Sequence, residues 1–300
     1  MQSLILYDHF TENAIADSIS SANWMSLSNA APFPTGPPAL KQREWDKPIV
    51  ENLFNYLFQK QSDEGSKARL LAVAAPHSGD WLNALPLSSC GLRLDDEAVR
   101  ISVGLRLGTD LCNPHQCVCG SLVQSRGIHG LSCKKNGARI NRHSALNDII
   151  HRALIRAGTP SVKEPAGLLR TDGKRPDGTT LIPWTRGRCL SWDVTVTDTL
   201  APSYAYLSSI SAGTAAERAA SKKVDKYAQI SISHDFVPIA IETLGTLNKS
   251  GAAFITAIGK KISAVTGDRR EVKFLFQRIS VCLQRYNSLA IRNIFAYCDM

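Results

Sequence analysis

Four of the eight cysteines in this 300-residue chain fall within 22 residues, and that cluster limits the possible folds more than any other feature. It reads Cys112-x4-Cys117-x-Cys119-Gly, followed by His129-Gly-Leu-Ser-Cys133. Thiolate and imidazole groups crowded into a short loop suit zinc, which takes four soft or borderline ligands in a tetrahedron. Gly120, Gly127 and Gly130 supply the tight turns such a loop needs. The expected ligand set is Cys117, Cys119, His129 and Cys133, a closed structural site. The single residue between Cys117 and Cys119 is tighter than the usual two-residue knuckle, so Cys112 and His115 stand as alternatives. Cys90, Cys189, Cys282 and Cys298 are scattered, which favours reduced, buried thiols over a disulfide framework.

The rest of the chain has ordinary globular composition, 44% hydrophobic and 20% charged, which excludes a disordered or fibrous protein. Its apolar runs, such as Leu70 to Pro76 and Gly251 to Gly259, fall short of the roughly 20 residues a spanning helix needs. The first residues lack a basic start and a full apolar stretch, so an intracellular protein without a membrane partner is expected. The net charge of +9 is unevenly placed: residues 1–110 carry −4 and residues 134–188 carry +8. A basic segment this dense suggests a polyanion partner, most simply nucleic acid, because Lys and Arg gain affinity by displacing counterions from phosphates.

Punctuation and periodicity order the elements. Four prolines and a glycine in residues 28–40 predict an extended segment, so residues 1–40 are expected to be poorly structured. Helical spacing predicts helices over Gln42–Gln59, Ser66–Ala74 and from Asp95 through Leu107, which together make residues 41–110 a helical linker region. The knuckle occupies 111–134. A helix over Arg142–Ala157 follows, then strands near Val162–Leu169, Arg175–Ile182 and Arg188–Thr197, separated by turns at Thr171-Asp172-Gly173 and Arg186-Gly187. An Ala- and Lys-rich helix from Thr214 to Ser231, a buried strand over Phe236–Ile241 and two helices, Ser250–Val265 and Val272–Tyr297, complete residues 138–300. The core order is αβββαβ, an α+β or α/β class.

Two carboxylates stand out in that order. Asp177 lies in Arg175-Pro176-Asp177-Gly178, and Asp193 lies in the alternating run Leu190 to Thr197. A period of two puts Leu190, Trp192, Val194 and Val196 on the buried face of a strand, and Ser191, Asp193, Thr195 and Thr197 on the other. A hairpin of the second and third strands then brings Asp177 and Asp193 together, and paired carboxylates hold Mg²⁺ or Mn²⁺ through hard oxygen ligands.

From the cysteine cluster onward the sequence resembles the zinc-knuckle and restriction-like endonuclease region of site-specific non-LTR retrotransposon proteins. The resemblance rests on the Cys/His cluster, on Pro176-Asp177 preceded by Arg175, and on Asp193 followed by Val194. It implies a PD-(D/E)xK nuclease core over roughly 112–245, with structural zinc, catalytic Mg²⁺ or Mn²⁺, a nuclear location, DNA as partner and the element RNA as a further one. In that family the nick frees a 3′-hydroxyl that primes reverse transcription. No Tyr- or Phe-x-Asp-Asp polymerase box is present, so the resemblance implies the C-terminal part of a longer retroelement protein.

The wider nuclease superfamily carries a lysine two residues past the second acid, where this chain has Thr195. The resemblance moves that role to the next helix, where Ser221-Lys222-Lys223-Val224-Asp225-Lys226-Tyr227 makes Lys226 the first choice and Lys223 the second. Glu164 is expected as an outer carboxylate. Arg142, His143, Asn147, Lys174 and Arg175 are expected to contact backbone phosphate, which positions a duplex without reading it. The alternative is a catalytically inactive nucleic-acid-binding remnant that keeps the knuckle and the basic surface.

Overall fold

The computed structural model describes residues 22–27, 42–168 and 173–294. Contacts divide the chain into two units, residues 1–63 and 64–300. In the first, residues 22–27 are helical where extended chain is expected. The Pro-rich stretch 28–40 lies outside the described residues. Helix α1 spans Gln42–Gln59, with Pro48 inside it, and the Asn52 side-chain amide donates to the Leu27 carbonyl at 2.8 Å.

The second unit begins with α2 (Glu64–Ala74) and α3 (Asp96–Leu107). Asp95 starts α3 as the sequence predicts: its backbone is extended and its carboxylate accepts from the Ala98 N–H at 2.7 Å. These helices are part of the larger body. Ala72, Ile101 and Leu105 share one core with Leu131, Leu244 and Ile291.

The knuckle follows, as the hairpin β1 (His115–Gln116) and β2 (Leu122–Val123) and the single turn α4 (His129–Ser132). Helix α5 (Ala138–Arg156) starts four residues earlier than its apolar spacing predicts. Strands β3 (Ser161–Lys163), β4 (Gly178–Thr180) and β5 (Leu190–Thr197) come next, then α6 (Pro202–Ser208), α7 (Thr214–Lys226), β6 (Asp235–Glu242), α8 (Lys249–Thr266) and α9 (Glu271–Arg292). The class is mixed α+β. No helix among the described residues is long and apolar enough to cross a membrane.

The four-stranded sheet runs β3-β4-β5-β6, antiparallel at its first two junctions and parallel at the last. A parallel junction needs a crossover connection, and α6 and α7 provide it. Two predicted strands are shorter than expected. β3 ends at Lys163 because Glu164 adopts a left-handed backbone (φ 49°), and Ala166–Leu168 then turn as a 3-10 helix. β4 starts only at Gly178, because the preceding Pro176 has no N–H to offer a ladder. The turn at Arg186-Gly187 is tight, with φ of 48° and 73° and Thr185 bridged to Arg188. Helix α6 has no counterpart in the sequence reading.

Helices cover both faces of the sheet. On one, Trp192 and Val194 of β5 and Ile239 and Ile241 of β6 pack with Leu146, Ile150 and Leu154 of α5, with α8 and with α9. On the other, Ala216 and Ala220 of α7 meet Ala240 of β6. Small side chains let this helix approach closely. The alternation along β5 is therefore as predicted, but its second face is covered too: Ser191 and Asp193 are buried along with Trp192.

Gly178 matters sterically and not as a turn residue. A Cβ there would lie 2.1 Å from the Trp192 ring. Gly178→Ala should cost about 1–3 kcal/mol of stability from overpacking, and a urea denaturation midpoint unchanged from wild type would contradict the contact. At the far end of the sheet, Glu242 is fully buried and accepts from the Ala216 N–H at 3.1 Å, and burial raises its pKa. A carboxyl raised on folding contributes stability below its unfolded value of 4.5 and loses it as pH climbs through the folded value. Glu242→Gln, which keeps an acceptor oxygen for Ala216, should reduce the fall in stability between pH 5 and pH 8, measured by urea melts across that range.

Candidate functional site

The β4–β5 register builds the site. Gly178 pairs with Trp192 and Thr179 with Ser191, so one step further along the antiparallel pair Asp177 stands opposite Asp193. The indole N–H of Trp192 donates to the Asn147 Oδ1 at 2.8 Å, and Asn147 Nδ2 lies 3.4 Å from the Asp177 carbonyl. Asp177 Oδ2 accepts from the Val194 N–H at 2.6 Å and lies 2.9 Å from His143 Nε2. That pairing with Asp177 raises the His143 pKa against the opposing effect of burial.

Asp193 is 2% exposed. Burial, and next the negative charge of Asp177, push its carboxyl above the ordinary range. The opposing charge comes from α7, where Lys223 Nζ lies 2.5 Å from Asp193 Oδ1. Lys226 Nζ lies 2.7 Å from the Tyr227 hydroxyl, which in turn donates to the Arg175 carbonyl at 2.7 Å. Lys223, the second choice, is thus ion-paired with Asp193, and Lys226, the first choice, meets the neighbouring Tyr227. Ala216, Ala220 and Lys223 fall at i, i+4 and i+7, the stripe that faces the sheet, while Lys226 is turned about 80° from it. Lys223, half-buried, is the lysine on Asp193.

Three other expectations change. Arg142 is buried, donating to Asn287 Oδ1 at 2.7 Å and the Leu131 carbonyl at 3.1 Å, and burial pulls its pKa down to about 10. It ties α5 to α9 and the knuckle and is not a phosphate contact. Asn147 is likewise buried and holds Trp192. Glu164 is exposed and ion-paired with Arg175, with its carboxylate turned outward; its backbone N–H donates to the Asp177 carbonyl at 2.9 Å. Lys174 and Arg175 are exposed, and His143 is half-buried.

The knuckle brings together Cys117, Cys119, His129 and Cys133, whose ligand atoms all lie within 4.8 Å of one another. The Sγ atoms of Cys117 and Cys133 are 3.8 Å apart, and Cys119 Sγ is 3.2 Å from His129 Nε2. A tetrahedron with 2.3 Å zinc–sulfur bonds has edges of about 3.8 Å. Hydrogen bonds from Ser121 hold the Cys119 thiol down at about 6, so it is largely thiolate at neutral pH. The alternatives are engaged elsewhere: Cys112 Sγ faces the Gln124 and Ser125 carbonyls, and burial raises its pKa. His115 Nε2 meets the Ile294 carbonyl at 2.9 Å. This Cys₃His group is able to bind zinc.

The knuckle is anchored to the core through backbone contacts that leave no room for side chains. A Cβ on Gly130 would lie 2.7 Å from the Ala290 carbonyl of α9. Asn136 bridges the two, its amide donating to the Gly130 and Ala290 carbonyls at 3.1 and 2.6 Å.

No family model matches the chain, and no curated protein matches it. Elemental analysis of purified protein should find one zinc per chain. Cys117→Ser and Cys133→Ser should lose it, while Cys112→Ser and His115→Ala should retain it; the reverse pattern would show that the ligand set is wrong.

Proposed function

We propose that the chain is a metal-dependent DNA endonuclease of the PD-(D/E)xK kind, derived from a non-LTR retroelement, with Asp177, Asp193 and Lys223 at its centre. The observation that carries this reading is the meeting of those three groups. Two carboxylates stand opposite each other, Asp177 just before β4 and Asp193 on β5, the latter raised by burial and next by its neighbour's charge, and a lysine from the crossover helix pairs with Asp193. The order of α5, three strands, α7 and β6 around them supports the fold part of the reading.

The donor set fits a divalent cation. Asp177 and Asp193 offer hard oxygen atoms, and their mutual repulsion is what a cation between them would relieve. A bound Mg²⁺ or Mn²⁺ polarises a scissile phosphate and makes its water a nucleophile at neutral pH. The protein's own residues supply the rest. His143 and the Val194 N–H fix one Asp177 oxygen, leaving the other for a ligand. Lys223 places positive charge beside the phosphate, where negative charge grows in the transition state. Lys174 is exposed two residues before Pro176, and its charge suits a contact with backbone phosphate. In a longer retroelement protein the nick would prime reverse transcription.

The test is plasmid nicking by zinc-loaded protein with Mg²⁺ or Mn²⁺. Asp177→Asn, Asp193→Asn and EDTA should each abolish it. Lys223→Ala should lower the rate by about 10²–10⁴-fold, the range for a lost proton-transfer or charge-stabilising group, and Lys226→Ala should lower it less. A folded wild type that binds DNA without nicking it would favour the inactive binding remnant.

A further inference from the structure

On the far side of α5 from the carboxylates, a cavity of about 240 Å³ opens between α5 and α9, closed at one end by residues 90–92. Arg152 lies nine residues beyond His143, about half a turn around the helix, so it faces this cavity and not the active site. Arg278 and Arg285 enter it from α9. Together with Arg292 they recur every seven residues, nearly in line along the helix, at steps of about 10.5 Å. That step is close to the axial rise of three nucleotides at about 3.4 Å each.

The positive charges here are only partly offset. Asp148, the acid that lines the cavity, lies 2.5 Å from Lys163. Glu271 is taken by Arg156 at 2.8 Å. Arg285 donates to the neutral carbonyls of Gly91 and Arg93 at 2.8 and 2.9 Å. Arg152 and Arg278 make no hydrogen bond or ion pair with any described residue. Arg278 is half-buried; burial, and next the charges of Arg156 and Arg152, disfavour its cationic form, with Cys90 and Glu271 acting in the opposite sense. Like charges gathered in a partly desolvated hollow raise the energy of the free protein unless an anion offsets them. A second cavity, which shares Gly91 and Arg285 with the first, lies further along α9 and is lined by Arg93 and Arg292 together with Asp95 and Asp96, and Asp95 meets Arg292 at 3.4 Å there.

We infer that this hollow is a second nucleic-acid contact, a groove in which Arg152, Arg278 and Arg285 seat phosphates of one strand's backbone on the opposite side of α5 from the carboxylate pair. The elongated line of arginines favours a strand over a small free anion. The inference shares with the proposed function the premise that nucleic acid is the ligand, and does not depend on hydrolysis.

The test is fluorescence anisotropy of a short labelled DNA duplex titrated with the full, zinc-loaded chain across a series of KCl concentrations. Arg152→Gln/Arg278→Gln should weaken binding by about tenfold and lower the log–log salt slope by about two, one for each lost phosphate contact. A folded double variant with wild-type affinity and slope overturns the inference. So does a double variant that loses stabilisation by inorganic phosphate while binding DNA normally, since that marks a small-anion site. If the double variant does not fold, Arg152→Gln alone, at an exposed position of α5, should lower the slope by about one, and an unchanged slope is again decisive against the groove. A wild type that never nicks, together with a double variant that shows the slope loss, supports the groove and contradicts the hydrolytic reading.

Discussion

The Trp192 ring occupies the space where a side chain at residue 178 would project, and the geometry of the carboxylate pair follows from that contact. The indole is held from the α5 side by Asn147, and the same amide reaches the Asp177 carbonyl. One helix, two strands and the acid are thereby referenced to a single ring. A slip of one residue between β4 and β5 would move Asp193 to the α5–α8–α9 core and Trp192 to the α7 side. The close fit of ring and glycine opposes that slip and keeps Asp177 opposite Asp193.

Holding a carboxylate at such a place is costly, because burial disfavours its charged form. The fold offsets the cost with charge carried in on α7. Its alanine stripe seats the helix against β6, and the next position on the stripe, Lys223, reaches Asp193. Glu242 at the end of β6 accepts from the Ala216 N–H in the first turn of the same helix. The knuckle is bound into this body through Arg142, Asn136 and Gly130, so a group able to bind zinc and the carboxylate pair share one set of supporting helices.

Much of this was legible in the chain itself. The acidic run Asp95-Asp96-Glu97 signalled a helix start because negative charge favours a helix N-terminus, and alternation from Leu190 to Thr197 signalled β5. The knuckle ligands were narrowed by spacing, and the carbonyl partners of Cys112 and His115 separate them from the others. Other features depended on long-range packing. Arg142 and Asn147 look like surface residues in a basic segment, yet their partners Asn287 and Trp192 lie 145 and 45 residues away. The position of Lys223 was recoverable: Ala216 and Ala220 mark the buried stripe, and Lys223 continues it. The ends of β3 and β4 were not, because a left-handed Glu164 has no signature comparable to glycine's.

The central claim is that Asp177 and Asp193 form one divalent-cation site. Mn²⁺ binding followed by electron paramagnetic resonance on the zinc-loaded chain tests it without requiring turnover. The account predicts that wild type and Lys226→Ala bind Mn²⁺ alike, and that Asp177→Asn and Asp193→Asn each lose the binding while staying folded. Undiminished Mn²⁺ binding in both Asn variants would contradict it.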